Sequence, residues 1–266
     1  MGHELRGIVA LVTRPAGQGA ALASAIRAAG GEALECPLLD ILPLPLEAAT
    51  LARLLNESST AIFISTNAVA AALAAVREAG LVWPPGLRAL AVGSATRDAL
   101  IRAGIAAQAG EGTAMNSEEL LSHPALALAQ VQGQGILIFK GEGGRELLAE
   151  ALRARGARVE ECALYRRSLP DGASALLETL LDSHRVNTFL ASSGETLAHL
   201  LGLLGRMPAG KVPTEACFVV PGERVAAEAR HRVPAPVVMA RNASDAAMLE
   251  ALATLAKAPG GKAEHS

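Results

Sequence analysis

Aromatic residues are scarce in this chain, with one Trp, one Tyr and four Phe among 266 residues. A core must therefore be filled chiefly by Leu, Val, Ile and Ala, and few rings are left on which nucleic-acid bases could stack. A strong charge of either sign is missing too. The net charge of −2 gives no bulk attraction to DNA or to an anionic membrane. No apolar run approaches the roughly 20 residues of a membrane helix. The Ala-rich stretch from Ala68 stops at Arg77, and Ile8 to Val12 is too short for a signal peptide. Cysteine is limited to Cys36, Cys162 and Cys217, an odd number at wide spacing with no CxxC pair. That pattern fits inert thiols in a reducing compartment. The reading is a cytoplasmic protein with neither nucleic acid nor membrane as partner.

Familiar catalytic signatures are missing as well. There is no HExxH, no GxSxG, and no cluster among His3, His123, His184, His199, His231 and His265. Metal and triad chemistry are not expected. What the chain does have is 51% apolar and 19% charged residues, the balance of a globular protein long enough for two small domains.

The most informative positive feature is a repeat. Leu11-Val12-Thr13-Arg14 matches Leu137-Ile138-Phe139-Lys140, 126 residues further on. At the same offset Gly17 meets Gly143, Leu22 meets Leu148, Gly30 meets Gly156, Glu35 meets Glu161 and Cys36 meets Cys162. Phe63 then falls on Phe189, and Ala91 to Thr96 resembles Val219 to Arg224 at an offset of 128. Three blocks in one order point to internal duplication. Each block runs from a short apolar strand through a small-residue turn into an amphipathic helix. Ile8–Val12 is predicted as strand and Ala20–Ala29 as helix, with Gly30 as its cap. Strands alternating with such helices predict an α/β fold with parallel sheets covered on both faces.

Two segments break this pattern at matched places. The segments 36–45 and 161–170, the first interrupted by Pro37, Pro43 and Pro45, read as extended interdomain linkers. If both cross one boundary, the fold is two parallel-sheet α/β domains related by duplication and joined by a two-stranded linker. The first domain is then discontinuous, 1–35 plus 171–258, and 46–160 is inserted as the second. The alternative is two consecutive domains split near residue 126. The tail 259–266 is predicted to be disordered.

Parallel α/β sheets bind ligands beyond the carboxyl ends of their strands. The candidate loops there are Arg14 to Gly19, Ser65-Thr66-Asn67, Gly93-Ser94-Ala95-Thr96, Lys140-Gly141 through Gly144-Arg145, Ser192-Ser193-Gly194 and Pro221 to Arg224. Small residues with free backbone N–H groups at helix N-termini suit anions such as carboxylates. Taken one at a time, Ser65, Thr66, Ser192 and Ser193 read better as helix N-caps. Arg14, Lys140, Arg145 and Arg224 are the cations of these turns, and Arg14, Lys140 and Arg145 could instead be solvated surface charges. Gly141 to Arg145 is neither a dinucleotide turn nor a P-loop. Tyr165, the lone tyrosine, is placed on a connector outside either apolar core, as a candidate catalytic group or a polar-tipped packing residue.

At these residues the chain resembles the uroporphyrinogen-III synthase family. The likeness rests on "LVTRPAGQGAALASAIRAAGGEALECPLLDI", "IFISTNAVAAAL", "AVGSATRDAL", "GEGGRELLAEALRARGARVEECALYRR", "FLASSGETLAHL" and "VVPGERVAAEA", in order and over nearly the whole length. The resemblance implies two α/β domains with a site in a cleft between them. It also implies a cofactor-free lyase that closes hydroxymethylbilane into uroporphyrinogen III with inversion of ring D. Hand-over of substrate from the preceding pathway enzyme is a partner relation the resemblance leaves open, and a monomer is expected. Tyr165 matches the family's connector tyrosine and Thr96 the hydroxyl of its VG-x-x-T turn. Where relatives carry Ser or Thr, this chain has Pro221-Gly222-Glu223, and Glu223 is expected to point away or to pair with Arg224. A small-anion or tetrapyrrole-binding module without chemistry, or a decayed synthase homologue, are the competing readings.

Overall fold

A computed structural model describes residues 4–110, 117–143, 146–208, 210–213 and 215–256. The tail 259–266 lies outside them. In chain order, β1 (Val9–Val12), α1 (Ala20–Ala28) and β2 (Glu32–Glu35) form a first βαβ unit. Next come β3 (Asp40–Pro43), α2 (Ala48–Glu57), β4 (Thr60–Phe63), α3 (Thr66–Glu78), β5 (Arg88–Ala91), α4 (Ser94–Arg102) and β6 (Ala107–Ala109). Two short helices, α5 (Ser117–Leu121) and α6 (Leu128–Val131), lead to β7 (Gly135–Gly141), α7 (Leu147–Ala154) and β8 (Arg158–Ser168). The chain closes with α8 (Ala173–Ser183), β9 (Thr188–Leu190), α9 (Gly194–Leu204), β10 (Cys217–Pro221), α10 (Gly222–Arg232), β11 (Val237–Ala240) and α11 (Asp245–Ala256).

The chain divides into two compact units. One is built from the segments ending at Asp40 and beginning at Ser168, the other from Ile41–Arg167. The first holds a sheet in the order β11-β10-β9-β1-β2, and every neighbouring pair is parallel. The second holds β3-β8-β7-β4-β5-β6, parallel from β8 to β6. Pro43 closes β3 at the edge of that sheet, where a residue without an N–H is tolerated.

Both sheets are covered on two faces, which is why their central strands, such as β1, β7 and β10, read as largely apolar runs. In β4 and β7, Ala61, Phe63, Leu137 and Phe139 enter one core while Ile62, Ile136 and Ile138 enter the other. In β1, β9 and β10, Leu11, Phe189, Phe218 and Val220 face one way and Ala10, Val12, Leu190 and Val219 the opposite way. All four phenylalanines are thus spent at core centres. Phe63 packs on Phe139 at 5.0 Å between centroids, and Phe189 on Phe218 at 5.1 Å.

Cysteine positions follow the same logic. Cys36, Cys162 and Cys217 are buried and free. Desolvation pushes Cys36 up to about 12 and Cys162 up to about 11, and raises Cys217 as well, so the thiolate is disfavoured. Among the described residues no helix is long and apolar enough to cross a membrane.

Candidate active site

Because β8, β7, β4 and β5 run parallel, the loops that leave their carboxyl ends share one edge of the second unit. Ser65 caps α3 there: its backbone is extended and its Oγ accepts from Ala68 N at 3.1 Å. Thr66 is the first residue of the helix, and Asn67 is engaged in an interaction of its own. One strand over, Gly93 caps α4 without a side chain, Ser94 opens the helix and Thr96 is buried. Lys140 and Gly141 end β7. Gly144 and Arg145 lie outside the described residues.

Tyr165 is not outside the core. It belongs to β8, is only 3% exposed, and is a member of the apolar cluster that also contains Phe63, Phe139 and Leu164. The reason is an irregularity in register: Lys140 pairs with Ala163 but Gly141 with Tyr165, so Leu164 is an extra residue on β8. Such a bulge breaks the alternation of faces. Leu164 and Tyr165 are therefore buried consecutively, and Arg166 and Arg167 are left exposed. The ring lies close against Gly141, where a Cβ would fall 2.6 Å from Cε2 and 2.8 Å from Cζ. The phenol Oη meets Ser65 Oγ at 2.9 Å. Three segments that are distant in sequence, one helix cap and two strand ends, thus meet around one hydroxyl.

Lys140 is committed elsewhere. Its Nζ donates to Glu161 at 2.7 Å, and Arg153 adds a second contact at 3.1 Å. The Lys140 ammonium first, and Arg153 with it, hold the Glu161 carboxyl below its ordinary range against the opposing effect of burial. A cavity of about 200 Å³ beside this pair is lined by Ile64, Val92, Ile138 and Leu148. Sites that enclose a drug-sized ligand span roughly 300–1,000 Å³, so this cavity alone does not hold a large substrate.

The first unit repeats the arrangement at the carboxyl ends of β1, β9 and β10. Arg14 follows β1, but its guanidinium is bound to the Asp245 carboxylate and the Ala243 carbonyl at the start of α11. Ser192 lies just before Ser193, which caps α9 in a capping box: its Oγ accepts from Thr196 N at 3.1 Å, and Thr196 Oγ accepts from Ser193 N at 2.9 Å. Gly194 begins that helix, and a Cβ there would sit 3.5 Å from an Arg224 nitrogen. Arg224 therefore lies near the N-terminus of α9 together with the Glu228 carboxylate, whose Oε2 would be 3.4 Å from the same Cβ. Pro221 ends β10, and Gly222 opens α10 at φ +68°, a conformation that favours glycine. Glu223 does not pair with Arg224; it reaches Arg230 at 3.2 Å, about two turns along the same face of α10.

Sequence reasoning missed Asp245 and Glu161 as counter-ions. Glu161 carried a local signal, because a carboxylate on the strand beside Lys140 is an obvious partner. Asp245 is 231 residues from Arg14 and carried none.

A model of the uroporphyrinogen-III synthase (HemD) family matches residues 20–250, which takes in most of both sheets. The chain belongs to the uroporphyrinogen-III synthase family. It is 35% identical to the uroporphyrinogen-III synthase of Salmonella typhimurium over 250 residues, covering 91% of this chain and 98% of that one. The corresponding enzyme of Escherichia coli is 32% identical over the same shares. Among solved structures, a mutant uroporphyrinogen III synthase from the extremely thermophilic bacterium Thermus thermophilus superposes with a TM-score of 0.60 at 18% identity, covering 94% and 98% of the two chains. The uroporphyrinogen-III synthetase of Helicobacter pylori gives 0.58 at 15%, covering 93% and 99%. At those identities the structures speak to the fold alone: mixed α/β with parallel sheets, as uroporphyrinogen-III synthases have.

Proposed function

We infer that the protein is a uroporphyrinogen-III synthase, a cyclising lyase that works without a cofactor. Its substrate is hydroxymethylbilane and its product uroporphyrinogen III. The ring A hydroxyl leaves as water, taking the C–O electron pair, and an electrophilic azafulvene remains. The substituted carbon of ring D attacks it to give a spiro-pyrrolenine. Fragmentation and re-closure then set ring D in reverse, and a proton is lost. The observation that carries the reading is the match to synthases at up to 35% identity over 91% of the chain. It favours an enzyme over an anion-binding module or a decayed homologue.

Tyr165 is the proposed proton donor to the departing hydroxyl, because its own hydroxyl stands at a carboxyl edge beside the N-terminus of α3. A general acid of this kind typically contributes about 10²–10⁴-fold. The linear tetrapyrrole can close unaided to the symmetric isomer, so control of geometry outweighs supply of reactivity. With Arg14 and Lys140 already neutralised by Asp245 and Glu161, the substrate carboxylates fall to main-chain N–H groups and to Arg224. The loops bearing Ser65, Thr66, Asn67, Gly93, Ser94, Thr96, Gly141, Ser192, Ser193, Gly194 and Pro221 are the proposed cradle.

Duplication is the proposed origin of the two units. In its support, the repeat offset carries β1 onto β7, β2 onto β8 and β4 onto β9, and the orders β2-β1-β9-β10-β11 and β8-β7-β4-β5-β6 then coincide. The segments 36–45 and 161–170 are the proposed connectors. A cytoplasmic monomer, receiving its substrate from the enzyme that makes it, completes the proposal. Complementation tests the function: the gene should restore a bacterial strain lacking its own synthase, and failure of a well-expressed protein to do so would argue for a decayed homologue.

A further inference from the structure

Ser65 and Gly141 were both read from sequence as groups that touch the substrate, yet their geometry serves Tyr165. Ser65 Oγ has one hydrogen and two lone pairs. Ala68 N–H occupies one lone pair at 3.1 Å, and Tyr165 Oη stands 2.9 Å away. A hydroxyl that accepts at a helix N-terminus is polarised and becomes the better donor. Either hydroxyl can donate in this pair; with Ser65 as the donor, the phenol keeps its own proton for another acceptor. Gly141 supplies the second constraint. Any Cβ there would fall inside the ring's contact distance, at 2.6 Å from Cε2, 2.8 Å from Cζ and 3.1 Å from Oη. The obstruction is a ring only 3% exposed within an apolar cluster, which leaves it little room to move aside.

We propose that Gly141 and Ser65 are positioning residues that set the aim and polarity of the Tyr165 hydroxyl, through a chain running from Ala68 N–H to Ser65 Oγ–H to Tyr165 Oη–H. The proposal rests on the reading of Tyr165 as the proton donor. Ser65 caps the helix and orients the phenol with one atom, and the bare face of Gly141 fixes the plane of the ring. Neither residue needs to contact the tetrapyrrole.

The test is a set of kinetic cycles on the full chain, with hydroxymethylbilane as substrate and isomer III as the readout. Gly141→Ala is expected to lower kcat about 100-fold, the effect of a misplacement near 1 Å, with KM little changed. Ser65→Ala should lower kcat about tenfold, the worth of one hydrogen bond, and Ser65→Thr should restore it. In a Tyr165→Phe background both substitutions should become silent, because they act only through the missing hydroxyl. Losses that multiply with that of Tyr165→Phe would overturn the proposal. A slow Tyr165→Phe beside a fully active Ser65→Ala would overturn it while leaving Tyr165 its role, whereas a fully active Tyr165→Phe removes both. Should Gly141→Ala fail to fold, the Raman Fermi doublet of the single tyrosine decides. It should report an accepting phenol in the wild type and in Ser65→Thr, and a change in Ser65→Ala; an identical doublet in all three would reject the chain.

Discussion

Tyr165 is the chain's only phenol, and its hydroxyl is held by Ser65 while its ring is enclosed by apolar neighbours. Tyr165→Phe keeps that packing and removes only the oxygen. It is expected to fold like the wild type, by circular dichroism and thermal melting, and to form isomer III about 10²–10⁴-fold more slowly. Wild-type turnover would remove Tyr165 from the mechanism. A second residue-scale expectation concerns Lys140. Its pairing lowers the Glu161 pKa, so it contributes stability that is present above the unfolded carboxylate value of about 4.3 and lost as pH falls through the folded value. Lys140→Met should cost on the order of 1 kcal/mol in urea unfolding at neutral pH, and much less once Glu161 is protonated. A gap that stayed constant with pH would contradict the assignment. At this scale the sequence was partly legible. A lone tyrosine beside two arginines marked a functional candidate, but its burial depends on a one-residue bulge that no local pattern announces. Arg14 looked available because its partner Asp245 is brought to it only by the fold, whereas the Glu161 partner of Lys140 left a trace in the matched strands.

At the scale of elements, the small-residue turns act first as helix starts. Ser193 and Thr196 satisfy each other's backbone in a capping box, so Ser193→Ala should lower stability by about 1 kcal/mol, and Ser193→Asp should retain most of it. Equal melting temperatures for Ser193→Ala and the wild type would show that the cap contributes nothing. The strand–turn–helix grammar was readable because its signals are local. Helix α1 begins at Ala20 as expected, and Gly30 and Gly156 close the matched helices at φ +87° and +80°. The extent of β8 was not readable. Its final residues look like connector in sequence, and they become strand only because β7 and β3 lie on either side.

At the scale of the molecule, the sequence repeat and the compact units do not coincide. The repeat boundary lies just before β7, whereas the units divide near residues 40 and 168. Each βαβ opening, β1-α1-β2 or β7-α7-β8, pairs with strands of the other repeat. Fragments 1–132 and 133–266 should therefore be poorly folded alone and recover native circular dichroism when mixed. Two independently folded halves would contradict this reciprocal exchange. The repeat could be read from sequence, since offset matches are visible in one dimension. The exchange could be anticipated only through the paired extended segments, because strand partnership is a three-dimensional fact.

Product analysis of the purified wild-type protein with hydroxymethylbilane bears most directly on the central claim. A synthase gives predominantly the type III isomer, faster than spontaneous closure. Type I alone, formed at the rate seen without protein, would contradict it.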